Sequence, residues 1–160
     1  MLIFQTSNDH QRMRMELITR LASTQTIKTL NMASLKKDDI IDFVRKINEI
    51  WIEGNTEELY NYLSNDVVFA SPGFNKYLKG KDLCVNSYRE FIGQALVRDF
   101  QTSQYNVDLF NDIAIATYQF EIDYLLNDQE YKDHGFEIMA FRQVDNQLLL
   151  IWRTQMPMNL

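Results

Sequence analysis

One carboxylate near the C-terminal end of the chain is placed where it could carry acid–base chemistry. Glu137 lies in an alternating segment and shares its parity with Met139 and Phe141. If that parity faces the interior, burial favours the neutral acid, which suits a general acid or base. In the alternative interpretation the parity of Phe136 and Ile138 faces inward, and Glu137 is solvated. Glu137 is therefore a candidate catalytic residue whose direction stays open.

His134 is a second and weaker catalytic candidate, because an imidazole can exchange a proton near neutral pH. It precedes Gly135 in the same segment, and Asp133 or Asp123 could pair with it. A lone histidine near the start of a strand is more often a structural residue. A Ser-His-Asp arrangement is not expected, because Ser71 and His134 lack an evident third member.

Composition limits the other kinds of chemistry. Cys84 is the single cysteine, and the two histidines, His10 and His134, lie far apart in the sequence. No cluster of cysteines and histidines suggests a zinc site, so we expect no metal and no cofactor. Cys84 cannot form an internal disulfide, and a reducing compartment, the cytoplasm, is the simplest assumption.

Charge and hydropathy narrow the range of partners. The chain has 16 lysines and arginines against 22 aspartates and glutamates, a net charge of −6 over 160 residues. An acidic surface repels phosphate backbones, so nucleic acid is not an expected partner. No apolar run approaches the length of a membrane span, and the N-terminus lacks the apolar stretch of a secretion signal. We therefore expect no membrane partner.

The elements that position these residues follow a distinct leader. Residues 1–34 are rich in Gln, Thr, Ser and Met and carry a net charge of +2. We expect them to form an N-terminal arm, mobile or loosely helical. A basic amphipathic helix for a membrane or a partner is the alternative, although its apolar stripe is thin. A single domain is then predicted over residues 35–160.

Three helices are predicted in the first half of this domain. The first runs from about Asp38 to Glu53, where apolar residues recur at helical spacing, and Gly54 provides its end. A short second helix follows over about 56–63, with acidic residues in its first turn. The third is predicted over about 81–97.

Strands occupy the rest of the domain. A short strand over 66–71 is stopped by a Pro-Gly pair. The clearest strand is predicted over 113–126, where apolar residues from Tyr118 onward alternate with Thr117, Gln119, Glu121 and Asp123, which indicates one buried and one wet face. Turn signals delimit the remaining strands, near 103–110, 131–143 and 147–155. Helices followed by a four-stranded meander indicate an α+β domain.

Six short segments occur in an order typical of one superfamily. They are Trp51-Ile-Glu-Gly54, Leu59 to Leu63, Asn65-Asp66-Val67-Val68-Phe69 before Pro72, Gly80-Lys81-Asp82, Phe141-Arg-Gln-Val-Asp-Asn-Gln-Leu148 and Ile151-Trp152-Arg153-Thr154-Gln155. This order resembles the nuclear transport factor 2-like superfamily, which includes SnoaL-like cyclases, ketosteroid isomerase and kinase association domains. The resemblance covers roughly residues 38–156 and bears on fold more than on function.

The resemblance implies a cystatin-like cone, with three N-terminal helices packed on a curved antiparallel sheet that encloses a pocket. It also implies homodimers formed through the outer sheet face, for which the wet face of strand 113–126 is the expected surface and a solvated face the alternative. A small apolar or aromatic molecule is the expected partner. The residues expected to line its pocket are Trp51, Tyr60, Phe69, Ser71, Tyr88, Phe91, Tyr118, Met139 and Trp152.

Ketosteroid isomerases within this superfamily provide a test of chemistry. An alignment to their pattern puts Ser71 at the general-base position, Ile47 at the tyrosine position and Glu137 at the strand-acid position. A serine hydroxyl cannot abstract a carbon-bound proton near neutral pH, and Ile47 cannot donate a hydrogen bond. That isomerase reaction is therefore not expected.

Two classes of function stay open. One is the binding of a small molecule by an unassigned isomerase-, cyclase- or hydrolase-type domain; an epoxide-opening hydrolase would draw on Asp123, Arg142 and Arg153, although Asp123 has the polar parity. The other is a non-catalytic dimerisation or association module. An open cavity with a deep polar group favours the first class, and a collapsed cone with Trp51 packed on Trp152 favours the second.

Overall fold

A computed structural model describes residues 35–158 of the chain. This part contains two α-helices, α1 (Lys37–Ile52) and α2 (Lys81–Gln94), and two 3-10 helices, Thr56–Asn61 and Pro72–Phe74. Its strands are β1 (Leu63–Ala70), β2 (Tyr77–Lys79), β3 (Ala95–Phe110), β4 (Ile113–Leu126), β5 (Gln129–Val144) and β6 (Gln147–Pro157). The predicted α+β class is confirmed. The predicted N-terminal arm lies outside the described residues.

All six strands form one sheet in the order β2-β1-β6-β5-β4-β3. Neighbouring strands are antiparallel except for β1 and β6, which are parallel. The turn residues Asn127-Asp128 and Asp145-Asn146 have positive φ angles, as two-residue hairpin turns of type I′ require. Bulges in β3 and at the pairing of β5 with β6 bend the sheet and increase its twist.

Helix α1 forms where the sequence predicts it, because its apolar residues fall on one face. Ile40, Val44 and Ile47 are fully buried, and the same stripe continues to Trp51. Asp38 and Asp39 occupy its first turn, where carboxylates interact favourably with the helix dipole. Gly54, with a φ of +80°, follows the helix end in the left-handed conformation that glycine adopts without strain.

The other two predicted helices differ from the structure. The second is a 3-10 helix, Thr56–Asn61, and the chain enters β1 directly after it at Leu63. The third ends at Gln94 rather than near 97, because residues from Ala95 onward pair with the end of β4. Residues 35–158 therefore hold two α-helices where three helices were expected, and the sheet takes the residues that the third helix loses.

The helices cover one face of the sheet, which is here called the inner face. On β4 the residues of one parity, from Ala114 to Phe120, are buried, and those of the other parity are partly exposed. The inner side chains of β4 and β5 join the apolar stripe of α1 and the buried residues of α2 in one core. The alternation predicted for 113–126 thus corresponds to a face in contact with the helices and an outer face.

No helix within residues 35–158 is both long enough and apolar enough to cross a membrane.

Candidate functional site

Glu137 faces the interior on β5. It is completely buried and shares the inner face with Met139 and Phe141, which are also fully buried. Ile138 and Ala140, on the other parity, are half-buried on the outer face. Of the two orientations that the sequence leaves open, the structure has the inward one.

The buried carboxylate of Glu137 is held by two side chains of the neighbouring strand. Arg153 on β6 donates a hydrogen bond from Nε to Glu137 Oε1 and forms a salt bridge with it. Gln155 donates from Nε2 to Glu137 Oε2 at 3.2 Å. Both carboxylate oxygens therefore have partners, as a buried charge requires.

Arg153 lines two clefts of the protein with the part of its side chain that Glu137 does not contact. Its side chain is 14% exposed, and within residues 35–158 its two Nη groups form no hydrogen bond. Burial alone would lower the pKa of Arg153, but the Glu137 carboxylate outweighs burial and raises it, so the side chain stays charged. The Arg153 Cζ atom lies 5.1 Å from the ring centroid of Phe69 and 4.9 Å from that of Tyr88, so the cation packs beside this perpendicular pair of rings.

Tyr88 adds a buried hydroxyl without a partner. The residue is 4% exposed, and its hydroxyl oxygen forms no hydrogen bond within the described part of the chain. Burial raises the pKa of Tyr88 and the charge of Arg153 opposes this, so the phenol remains a donor. Buried hydroxyls are nearly always hydrogen-bonded, so an orphaned one beside a cation indicates a place for an acceptor.

Arg153 and Gln155 lie where two clefts meet, and Tyr88 lines one of these clefts. The larger, here called the aromatic cleft, has a volume of about 370 Å³. Its lining comprises Trp51, Ser87, Tyr88, Phe91, Phe100, Phe120, Ile122, Tyr124, Asp133, Arg153, Gln155 and Pro157. The second, here called the lysine cleft, has a volume of about 300 Å³. Its lining comprises Phe69, Ala70, Ser71, Pro72, Lys76, Leu78, Ser87, Arg153, Thr154 and Gln155. Ser87, Arg153 and Gln155 line both clefts and form their junction.

A buried polar network supports the floor of the aromatic cleft. Asn48 on α1 accepts a hydrogen bond from Trp51 Nε1 at 3.0 Å and donates one to the Tyr118 hydroxyl at 3.1 Å. All three residues are nearly or fully buried. The network fixes the Trp51 ring, which stacks on Tyr88 with centroids 5.8 Å apart. Asn48 was not predicted, although a polar residue within the apolar stripe of α1 was a signal that could have identified it.

The structure brings together most of the residues predicted to line a pocket. Trp51, Tyr88 and Phe91 line the aromatic cleft, whereas Phe69 and Ser71 line the lysine cleft. Tyr118 and Met139 point inward but are fully buried, beneath the cleft surfaces rather than on them. The Ser71 hydroxyl is engaged locally, since it donates to Asn75 Oδ1 at 2.7 Å and accepts from the Lys76 amide at 3.0 Å.

Two predicted lining residues lie elsewhere. Tyr60 belongs to the 3-10 helix and borders a shallow depression with Lys81, away from the junction. Trp152 points to the outer face, where its ring stacks on Phe74 with centroids 6.2 Å apart. The cause is a bulge in β6 between Leu150 and Trp152, which reverses the alternation and turns Arg153 inward instead. Trp51 and Trp152 are therefore on opposite faces of the sheet.

The remaining catalytic candidates are not assembled at the junction. His134 lies opposite Glu121 on the outer face and borders a surface depression with Asp123 and Lys132. Asp123 also has the outer parity, as the sequence indicates, and pairs with Lys132 at 3.4 Å, so it does not join Arg153 in the set that an epoxide-opening hydrolase would need. No group of three or more potential metal ligands occurs among the described residues.

Comparison with known proteins places this fold and cleft in a family. A sequence model described as a SnoaL-like domain matches residues 40–151, which is most of the chain. The chain belongs to the SnoaL-like domain family. The match includes α1, which carries Asn48 and Trp51, and β5, which carries Glu137. It ends at residue 151, two residues before Arg153. No curated protein matches the sequence significantly.

Solved structures share the fold of this SnoaL-like domain at low sequence identity. A nuclear transport factor 2-like protein from Cytophaga hutchinsonii is 17% identical, with a TM-score of 0.66 over 78% of this chain and 100% of its own. A putative Ca/calmodulin-dependent kinase II association domain from Exiguobacterium sibiricum is 12% identical, with a TM-score of 0.66 over 81% and 99%. An uncharacterised protein with a cystatin-like fold from Caulobacter vibrioides is 13% identical, with a TM-score of 0.65 over 76% and 89%.

The SnoaL-like domain therefore has the nuclear transport factor 2-like, cystatin-like fold that the sequence resemblance implies. At identities this low the likeness establishes fold alone, and the chemistry has to be argued from the junction itself.

Proposed function

We propose that this SnoaL-like domain binds a small apolar or aromatic molecule in the aromatic cleft. The observation that carries the proposal is a ring-lined cleft with buried polar groups at its base. Its volume of about 370 Å³ falls within the range of small-molecule sites, and apolar walls with a few convergent polar groups are their usual composition. An open cleft with a deep polar group is what the sequence-based hypothesis of ligand binding requires.

Glu137 contributes to this function by positioning Arg153, not by exchanging a proton. Both of its carboxylate oxygens have partners, and it lines neither cleft. With Ser71 and Ile47 at the other two positions of the isomerase pattern, a ketosteroid isomerase reaction has no base and no tyrosine donor. Asp133, whose carboxylate accepts a hydrogen bond from the Tyr124 hydroxyl at 2.8 Å, is the carboxylate on the surface of the aromatic cleft. Any isomerase-, cyclase- or hydrolase-type activity would start from that residue.

A thermal-shift screen tests ligand binding without knowledge of the reaction. Small aromatic ketones, carboxylates and polycyclic compounds are added to the wild-type protein and to a Ser87→Phe variant, in which a ring occupies the junction. A ligand that binds only the folded state raises Tm by mass action. We expect hits that are lost in Ser87→Phe and kept in Glu90→Phe, an exposed position on the same helix. Equal responses in both variants, or none from any compound, contradict the proposal.

A second proposal, association into a homodimer, is favoured by the outer face of the sheet. Apolar side chains there, among them Ile115, Phe136 and Ile138, remain partly exposed in the monomer. They lie beside Thr117 and Gln119, the surface predicted for a dimer. One of the similar structures is named an association domain, which agrees with this use of the fold.

Sedimentation velocity tests the dimer with a matched pair of variants. Ile138→Glu places a charge in the proposed interface, whereas Asn86→Glu introduces the same charge on α2, which packs on the other face of the sheet. We expect the wild type and Asn86→Glu to be dimers and Ile138→Glu to be a folded monomer. A monomeric wild type contradicts the proposal. The cytoplasmic location and the lack of a nucleic-acid, membrane or cofactor partner stay predictions.

A further inference from the structure

The junction of the two clefts has more hydrogen-bond donors than the protein uses. Arg153 donates its Nε–H to Glu137, and neither of its Nη groups has a hydrogen-bond partner in residues 35–158. The Tyr88 hydroxyl beside it is buried and also without a partner there. Gln155 donates to Glu137 through its amide group and lines both clefts. The Nη groups of Arg153 and the Tyr88 hydroxyl are neighbouring donors without acceptors, which is what the binding of a carboxylate requires.

Charge is distributed unevenly between the aromatic cleft and the lysine cleft, which meet at the junction. Asp133 and Arg153 are the charged residues of the aromatic cleft, whereas both charged residues of the lysine cleft, Lys76 and Arg153, are cations. Lys76 is exposed and forms no ion pair within the described part of the chain. An anion is therefore repelled at the Asp133 end and attracted toward Lys76, which orients a ligand that has one charged end.

Glu137 contacts only one edge of the Arg153 guanidinium. Its carboxylate lies against the Nε edge of the guanidinium, and the rings of Phe69 and Tyr88 lie close to Cζ, with their centroids 5.1 and 4.9 Å away. The Nη edge forms no hydrogen bond within the described part of the chain and can meet a ligand. A guanidinium held by a carboxylate and packed against two rings is preorganised for a planar anion, because little side-chain entropy is lost on binding.

From these observations we infer that the ligand is an aromatic or apolar monocarboxylate: its apolar body occupies the aromatic cleft, and its carboxylate is held at the junction by the Nη edge of Arg153 and the hydroxyl of Tyr88. Lys76 draws the anion to this end of the site. The inference rests on the proposed ligand-binding function and specifies the chemical class of the ligand.

Isothermal titration calorimetry with 2-naphthoate and 2-naphthamide tests this inference. The two probes share one ring system and differ in charge at the group that would reach Arg153. We expect the carboxylate to bind at least ~10-fold more tightly than the amide, because hydrogen bonds to a charged partner are about twice as strong as neutral ones. Equal affinities overturn the inference but leave the proposed function standing. Binding of neither probe overturns the inference and counts against the aromatic cleft as well.

Three variants test whether the preference for the carboxylate probe arises at the junction, and all three leave the buried ion pair intact. Tyr88→Phe removes only a hydroxyl that has no partner, so we expect an unchanged Tm and a ~5-fold or greater loss of naphthoate affinity. Lys76→Gln should reduce naphthoate affinity more at low salt than at high salt, since Lys76 is exposed and its field is screened. Lys79→Gln, with the same charge change on a residue that lines neither cleft, should have little effect. A carboxylate preference that survives unchanged in both Tyr88→Phe and Lys76→Gln overturns the inference.

Discussion

Glu137 and Arg153 are diagonal neighbours on adjacent antiparallel strands. Glu137 is registered with Gln155, and Arg153 with Met139, so the two charged side chains are two positions apart across the β5–β6 pair. Long side chains can meet at this spacing on one face of a sheet. Their salt bridge joins a fully buried carboxylate to a guanidinium that is 14% exposed. The pair is therefore a structural unit whose open side is the Nη edge of Arg153.

Breaking this unit from one side should be strongly destabilising. Glu137→Gln leaves the Arg153 cation in a buried position without a counter-ion, and we expect the free energy of unfolding to fall by about 3–5 kcal/mol. Urea denaturation followed by tryptophan fluorescence provides the measurement. The double variant Glu137→Met with Arg153→Met removes both charges and should recover much of the loss, because an apolar pair of similar volume avoids the desolvation cost.

A surface ion pair provides the matched control for this prediction. Arg98 and Glu130 form a salt bridge between side chains that are 44% and 66% exposed. Glu130→Gln should therefore change the free energy of unfolding far less than Glu137→Gln does, because solvent screens this pair. If Glu137→Gln costs as little as Glu130→Gln, the buried pair does not have the role assigned to it here.

Strictly periodic elements could be predicted from the sequence almost to the residue. Strand β4 has the predicted bounds of 113–126, because apolar and polar residues alternate from Thr117 to Tyr124 and turn residues stand at both ends of the strand. Helix α1 differs by one residue at each end from the prediction, because one apolar stripe and a following glycine define it. In both elements the burial of one face decides the structure, and that information is local to the segment.

Features that depend on pairing between strands could not be predicted in this way. Alternation continued from Leu150 places Trp152 on the inner face, but a bulge in β6 puts Arg153 there. The sequence of β6 contains no signal for the bulge, because the bulge depends on the register between β6 and β5. The orientation of Glu137 was open for the same reason, since the two parities of β5 are about equally apolar. The junction was therefore only partly foreseen.

The backbones of β5 and β6 approach closely at Gly135, and a second prediction concerns this glycine. Gly135 lies beside the backbone of β6, and a Cβ atom at this position would overlap the carbonyl oxygen of Met156. Backbone cannot move aside as a side chain can, so Gly135→Ala should separate the strand ends and destabilise the protein by about 1–3 kcal/mol. Thermal denaturation of the variant measures the effect.

Gly93 provides the control for Gly135. It lies in the last turn of α2, and an added Cβ atom would meet nothing within 4 Å. Gly93→Ala should leave stability unchanged or raise it by up to about 1 kcal/mol, because alanine loses less backbone entropy in a helix. A Tm for Gly135→Ala equal to that of Gly93→Ala contradicts the close approach.

The buried thiol of Cys84 predicts how stability depends on alkaline pH. Burial raises the pKa of Cys84 from 9.0 to about 11, and the backbone amide of Phe69 and the charge of Arg153 only partly oppose this. Because the folded-state pKa is raised, the contribution of the protonated thiol to stability is fully present below pH 9 and is lost as the pH rises toward 11. We expect Cys84 to account for a fall of about 1–2 kcal/mol in the free energy of unfolding across this window.

Urea denaturation of the reduced wild type and of Cys84→Ala, at intervals from pH 8 to pH 11, isolates this contribution. Cys84→Ala is expected to be less stable at pH 8, because it leaves a small cavity, but its stability should fall less steeply than that of the wild type. The buried tyrosines Tyr88 and Tyr118 also have raised pKa values, so a shared decline above pH 10 should persist in both proteins. Parallel curves between pH 9 and pH 10 would mean that the Cys84 thiol ionises as readily in the folded chain as in the unfolded one, which its complete burial does not allow.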